Sequence, residues 1–218
     1  MATNVTRAVL WDMDGVLVDS GDYHFEAWRE ALAREKHELD FEQFRSTFGQ
    51  RNDTILRGIF GPDLSDSEIA RIADYKEELY RKQVHDQGIE ALPGVLHWLK
   101  QLHEAGWRQA VATAAPRENA LTILDELLIE GFFGAIVSAE DVTRGKPDPQ
   151  VYLTAAARLH ALPGRSIVVE DAPAGLEGAR RAGMRCIGVR TSHDELEADI
   201  VVDLLTDLPA NTFDKLLH

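Results

Sequence analysis

Residues 8–20 read AVLWDMDGVLVDS: four apolar residues run directly into Asp12, Met13, Asp14 and Gly15, with Asp19 close behind. A short uninterrupted apolar run ended by a turn signal is the pattern of a strand covered on both faces, as in a parallel sheet. Gly15 supplies the turn. Two carboxylates at the end of a buried strand repel each other and resist desolvation, so a neutralising partner is expected nearby.

Outward from this stretch, five further short apolar runs are predicted strands: RQAVAT (108–113), AIVSA (135–139), SIVVE (166–170), RCIGV (185–189) and DIVV (199–202). The first strand itself is expected over RAVLW (7–11). Helical spacing fills the gaps at 95–105, 118–128, 149–160 and 175–182, with stops expected in EAG, IEG, ALPG and RAG. This alternation predicts an α/β core on a parallel sheet. Residues 20–88 break the rhythm: YHFEAWREALAREK, FEQFRSTF, DTILRGIF and SDSEIARIADYKEELYRKQVHDQG all carry helical spacing and none reads as a strand. The expected organisation is a core of residues 1–18 and 91–218 with an all-helical cap of residues 19–90. Its linkers are expected near 16–20 and 87–93.

Composition narrows the function. A chain of 218 residues buries roughly 70% of its unfolded surface without needing staples. With 44% hydrophobic and 28% charged residues it reads as an ordinary globular protein. No apolar run approaches the roughly 18 residues a membrane span requires. A formal charge of −14 argues against nucleic acid, whose binders rely on clustered Lys and Arg. Cys186 is the only cysteine, so no internal disulfide forms and a reducing compartment is expected. No secretory series precedes RAVLW, and a cytoplasmic location is expected.

Ligands of open α/β sheets bind beyond the carboxyl ends of the strands. The polar residues that follow predicted strands are Asp12 and Asp14, Thr113, Lys146 after a short loop, and Glu170 with Asp171. Four acids, a hydroxyl and an ammonium form a coherent set if a cation neutralises the carboxylates, and a hard divalent ion, most simply Mg²⁺, suits oxygen ligands. Singly, each has a plainer reading. DMDG makes a turn, the Lys of GKPDP is solvated, EDAPAG opens a helix with favourable acidic charge, and Thr113 ends a strand. Turns alone do not account for all of them occurring in order, each just after a strand. An EF-hand is excluded, because Val16 stands two beyond Asp14 and Tyr23 occupies the twelfth position from Asp12. The chain has no Gly-Lys-Ser/Thr phosphate loop and no G-x-S-x-G elbow.

DMDGVLVDS, VATAA, GKPDP and VVEDAPAG together resemble the four motifs of the haloacid dehalogenase superfamily of phosphotransferases, and the helical insert is similar to the small cap of its β-phosphoglucomutase-like branch. The resemblance implies a Rossmann-like parallel sheet with helices on both faces. It implies that Asp12 is the nucleophile that forms an aspartyl-phosphate, and that Asp14 is the acid and base for leaving oxygen and water. Mg²⁺ would be held by Asp12, Asp171, the Asp14 carbonyl and Glu170. Thr113 and Lys146 would bind phosphoryl oxygens. The second aspartate speaks against dehalogenation, since the enzymes that name the superfamily lack it and use no metal. The partner implied is a small phosphate ester, acted on by a monomer, with neither nucleic acid nor membrane involved.

In the cap, DYHFEAW (22–28) resembles the mutase hinge segment and makes His24 a candidate to position Asp14 or relay its proton. FGQRND (48–53) resembles a substrate-contacting loop, so Arg51 is a candidate for a distal phosphate or sugar hydroxyl. Lys76 is a weaker candidate, with an i,i+4 surface pair as its plainer role. Trp28 and Phe25 read as cap core. One departure bears on activity: TAAPREN (113–119) has Ala115 and Pro116 where mutases place polar donors for a second phosphate. Arg117 or Asn119 could substitute in a shifted register. The expectation is therefore a phosphatase of a small phosphorylated metabolite, with a β-phosphoglucomutase-type mutase as the alternative. A non-catalytic binding role is disfavoured because every catalytic position is filled.

Overall fold

A computed structural model describes residues 6–217. The expected segments at 1–18 and 91–218 therefore extend past it at residues 1–5 and 218. The chain opens with β1 (Ala8–Trp11) and passes at once into four helices, α1 (Gly21–Arg34), α2 (Phe41–Thr47), α3 (Asn52–Phe60) and α4 (Asp66–Gln87). It then alternates through α5 (Val95–Glu104), β2 (Arg108–Ala112), α6 (Arg117–Glu126), β3 (Ala135–Val137), α7 (Gln150–Arg158), β4 (Ser166–Glu170), α8 (Pro173–Arg181), β5 (Arg185–Val189) and β6 (Ile200–Val202), closing with α9 (Thr212–Leu216).

All strands pair in parallel in the order β3-β2-β1-β4-β5-β6. The pleat explains the apolar runs. Val9 and Trp11 face one core layer, together with Val111, Ile167 and Val169 and with the α5 and α6 residues Trp98, Leu99, Ile123 and Leu124. Ala8 and Leu10 face the other, with Ala110, Val168, and Val151, Tyr152 and Leu176 of α7 and α8. Every residue of β1 is buried, so neither face could carry a polar side chain. The expected Rossmann-like α/β core is what the structure shows.

The four helices after β1 form an inserted cap with its own apolar cluster of Trp28, Leu32, Phe44, Leu56, Ile69 and Ile72. Capping boxes start α2 at Asp40/Gln43 and α4 at Ser65/Glu68, closing orphan N–H groups at both ends. The two chains joining cap to core run side by side: Val18 bridges Ala91, and Leu92 N–H donates to Leu17 C=O at 2.9 Å.

The helix stops differ from expectation in two places. Gly106 (φ 77°) and Gly183 (φ 73°) follow α5 and α8, but α6 and α7 are followed by Leu128 and His160 in the left-handed conformation, each at φ 55°. The glycine and proline signals of IEG and ALPG lie beyond those turns. Among the described residues, no helix is long and apolar enough to cross a membrane.

Candidate active site

The strand order reverses direction at β1, and the crevice beyond the carboxyl ends of β1 and β4 is where such a sheet binds ligands. Asp12 sits one residue past β1, its N–H still bonded to Val169 C=O at 3.0 Å. Glu170 ends β4 and Asp171 follows it. Thr113 sits one residue past β2, its N–H donating to Val137 C=O at 2.9 Å. Each reactive side chain is thus an extension of a buried ladder.

Ligand oxygens of Asp12, Glu170 and Asp171 lie within 4.8 Å of one another. Lys146 Nζ is 2.8 Å from Asp12 Oδ1 and 2.5 Å from Glu170 Oε1. Glu170 is fully occupied: Tyr152 Oη donates to Oε1 at 3.0 Å, and the backbone N–H groups of Asp171 and Ala172 donate to Oε2 at 2.8 and 2.7 Å. Ser192 donates to Asp171 Oδ2. Glycines clear the room. A Cβ on Gly15 (φ 80°) would stand 1.9 Å from Asp171 Oδ2, and one on Gly175 1.8 Å from Glu170 Oε1.

The set tests well against a divalent cation. Asp12 Oδ1 is buried without a hydrogen-bond donor, because Lys146 approaches close enough for ion pairing but off the hydrogen-bonding line. Three buried carboxylates face a single ammonium, which leaves an excess of negative charge in a desolvated site. Burial pushes Asp12 up to about 7, against the pull of Lys146 and with Glu170 and Asp14 adding to the rise. Burial likewise raises Asp171, reinforced by Glu170 and Asp12. Lys146 is held well above its usual range: burial works against it, and the charges of Asp12 and Glu170 overcome that. A hard cation with oxygen preference relieves this excess.

Asp14 points away from that cluster. Its Oδ1 accepts from Ser20 Oγ at 2.5 Å and lies 3.2 Å from His24 Nε2. On the other side of the ring, Lys76 Nζ is 2.7 Å from His24 Nδ1. An ammonium only donates, so Nδ1 accepts from Lys76 and the ring proton sits on Nε2, aimed at Asp14. Burial raises the Asp14 carboxyl, but His24, Ser20 and Lys76 outweigh it and hold it below the usual carboxylate range. His24 is also stacked on Tyr80, with centroids 4.0 Å apart and planes 7° from parallel.

The cleft between cap and core is lined by Asp12, Asp14 and Thr113 from the core and by Thr47, Gln50, Asn52, Lys76 and Glu77 from the cap. Trp28 is buried in the cap cluster and also lines this cleft. Three expected substrate-binding residues need correction, two in the cap and one in the core. Lys76 is not on the surface; it is 2% exposed, bonded to His24 and, at 3.0 Å, to Glu77. Arg51 does not line the cleft: its guanidinium binds Asp53 at 3.1 Å and the core carbonyls of Ala139 and Val142 at 2.6 and 3.1 Å. Arg117 turns away as well, to Asp141 at 2.7 Å and Ile136 C=O at 3.2 Å. Glu77 was missed although its signal was present: Ile69, Ile72, Ala73, Lys76, Glu77, Tyr80 and Val84 form one buried stripe of α4 at three- and four-residue spacing.

Comparison with known proteins agrees with this geometry. Residues 9–189 match the model of the haloacid dehalogenase-like hydrolase family. The chain is 31% identical to the validoxylamine A 7'-phosphate phosphatase of Streptomyces hygroscopicus subsp. limoneus, covering 93% of this chain and 95% of that protein. It is 32% identical to the β-phosphoglucomutase of Bacillus subtilis, covering 97% and 94%. A crystal structure of β-phosphoglucomutase from Clostridium difficile superposes with a TM-score of 0.88 at 26% identity, over 98% of this chain and 97% of that one.

Proposed function

This chain belongs to the haloacid dehalogenase-like hydrolases, and from that premise we propose a Mg²⁺-dependent phosphatase of a small sugar phosphate that carries the phosphoryl group on Asp12. The family and its relatives make the chain a phosphohydrolase or a closely related phosphomutase. The observation that carries the finer reading is the pairing of two unlike carboxylates on one loop. Asp12 lies among acids and Lys146, and Asp14 is turned to Ser20 and His24.

Asp12, Asp171 and the Asp14 carbonyl would hold the ion, with Glu170, whose oxygens already take four donors, reaching it through water. Bound there, Mg²⁺ supplies charge neutralisation and polarises a phosphoryl oxygen. An Asp12 oxygen attacks phosphorus, and the bond to the ester oxygen breaks. Asp14 delivers the proton that the departing oxygen needs. It rests as a carboxylate and takes that proton from His24 Nε2–H as Lys76 Nζ gives one to Nδ1, so the ring stays neutral and Lys76 carries the deficit until the proton of the attacking water returns along the same path. Water then attacks phosphorus as the bond from phosphorus to the Asp12 oxygen breaks; Asp14 takes the water's proton, inorganic phosphate leaves and Asp12 is restored as a carboxylate. Thr113 and Lys146 would steady the phosphoryl oxygens throughout, which is the main catalytic work in such transfers.

A second reading, a β-phosphoglucomutase-type transfer, uses the same nucleophile and is favoured by the relative of that name. Ala115 and Pro116, which offer no side-chain donor, and Arg117, which is turned to Asp141, favour the phosphatase. The expected setting is cytoplasmic and monomeric, a point for size-exclusion with light scattering. The deciding experiment is a screen of phosphate release from sugar phosphates with Mg²⁺, run beside an assay of β-glucose 1-phosphate isomerisation. Hydrolysis should dominate, and isomerisation faster by orders of magnitude overturns the phosphatase reading.

A further inference from the structure

The far end of the cleft contains a buried carboxylate that phosphoryl transfer does not use. Glu77 on α4 is 4% exposed and lines the same cavity as Asp12. Its Oε1 accepts from Asn52 at 2.7 Å and Lys76 at 3.0 Å, and its Oε2 from Asn119 of the core at 2.6 Å. Burial raises this carboxyl, but Lys76, His24, Asn119 and Asn52 hold it below its usual range. It stays anionic.

The cation balance at that end is the other half of the observation. Among the described residues Lys76 is the one ammonium or guanidinium lining the cap side of the cleft, and Glu77 already pairs with it. The guanidinium groups around the lining are already engaged: Arg51 and Arg117 by carboxylates and core carbonyls, Arg29 by Glu26, Arg45 by the Ser192 carbonyl, and Arg81 by Glu118 and Asn119 Oδ1. The remaining groups there, Thr47, Gln50 and Asn52, are neutral hydrogen-bonding side chains. A phosphoryl group seated on Asp12 would point the rest of its molecule at the Lys76–Glu77 pair and neutral amides, with no unpaired cation among the described lining residues to receive a second phosphate.

We infer that Glu77 determines specificity: it admits phosphomonoesters whose remainder is an uncharged polyhydroxylated body and rejects those carrying a second phosphate. This rests on the phosphatase reading above and sharpens it. One hydroxyl of a sugar or cyclitol can donate to the remaining lone-pair direction of Glu77 Oε2 and another to Asn52 Oδ1, whereas a second dianion meets a desolvated like charge. Selection by repulsion is a standard route to specificity.

The test is the ratio of kcat/KM for a monophosphate to that for its bisphosphate, using fructose 1-phosphate against fructose 1,6-bisphosphate and glucose 1-phosphate against glucose 1,6-bisphosphate. The native enzyme should favour the monophosphate by about tenfold or more, the scale a single well-placed charge commands. Glu77→Gln should shrink that ratio toward one. Because Glu77→Gln sets an amide N–H against Lys76 and could misfold, Gln50→Lys serves as the second variant: Gln50 is exposed at the cavity rim, and an added cation there should raise the bisphosphate rate relative to the monophosphate. A native ratio near one, or a ratio that neither variant moves, overturns the assignment and leaves the phosphatase reading standing. Absence of phosphate release from all four probes overturns both.

Discussion

Asp12, Asp14 and Lys76 show at single-residue scale how environment divides labour among charges. Asp12→Asn removes the proposed nucleophile and one of three packed acids, so turnover should fall by at least about 10³-fold while the melting temperature holds or rises, since the substitution relieves like-charge repulsion. Phosphate release and thermal melting check the two halves. Lys76→Met leaves Glu77 without its ammonium and His24 Nδ1 without its donor. Stripping one partner from a buried pair costs about 3–5 kcal/mol, which urea unfolding would detect, and kcat should drop as Asp14 loses its oriented imidazole. The acids, Thr113 and Lys146 were legible because each follows a strand, and strands are readable from apolar runs. Lys76, Arg51 and Arg117 were not, because a long charged side chain can take several partners and sequence spacing does not say which. Only packing shows that α4 turns Lys76 inward and that Arg51 reaches two carbonyls of the core.

At the scale of elements, the strands are predicted to within two residues because their pattern is set by burial on both faces. Helix ends are less legible: α6 and α7 terminate in left-handed Leu128 and His160, a conformation that side chain identity does not announce. Leu128 is 87% exposed, so Leu128→Gly loses little packing and relieves backbone strain of about 1–2 kcal/mol, less the added chain entropy of glycine. A net stabilisation of about 0.5–1 kcal/mol is expected in denaturant titration. Arg51, just before α3, joins cap to core through the carbonyls of Ala139 and Val142. Arg51→Ala should cost about 1–3 kcal/mol of stability and raise KM more than it lowers kcat, the mark of a loosened cap over intact chemistry.

Across the whole molecule, Asp141 ties together helices from opposite faces of the sheet: it accepts from Arg117 of α6, from Arg158 of α7 and from Ser138 beyond β3. Burial raises its carboxyl, but Arg158, Ser138 and Arg117 outweigh that and hold it far below the usual carboxylate range. Its folded affinity for protons is below its unfolded one, so the stability it adds is complete above about pH 4 and is lost as the pH falls further. Asp141→Asn should therefore destabilise the protein at pH 7 and flatten the acid side of its stability profile, as urea unfolding at pH 7 and 3 would show. The larger organisation is a parallel sheet whose strand ends converge on one cleft beneath a cap, and the proposed function makes Asp12 there the group that takes up phosphorus. Acid quenching during turnover of a sugar phosphate, followed by borotritide reduction, tests that most directly, because an acyl phosphate is reduced at the carboxyl that bears it. Tritium should appear in the peptide holding residue 12, as homoserine, and vanish in Asp12→Asn. Label at another residue, or none during steady phosphate release, contradicts the account.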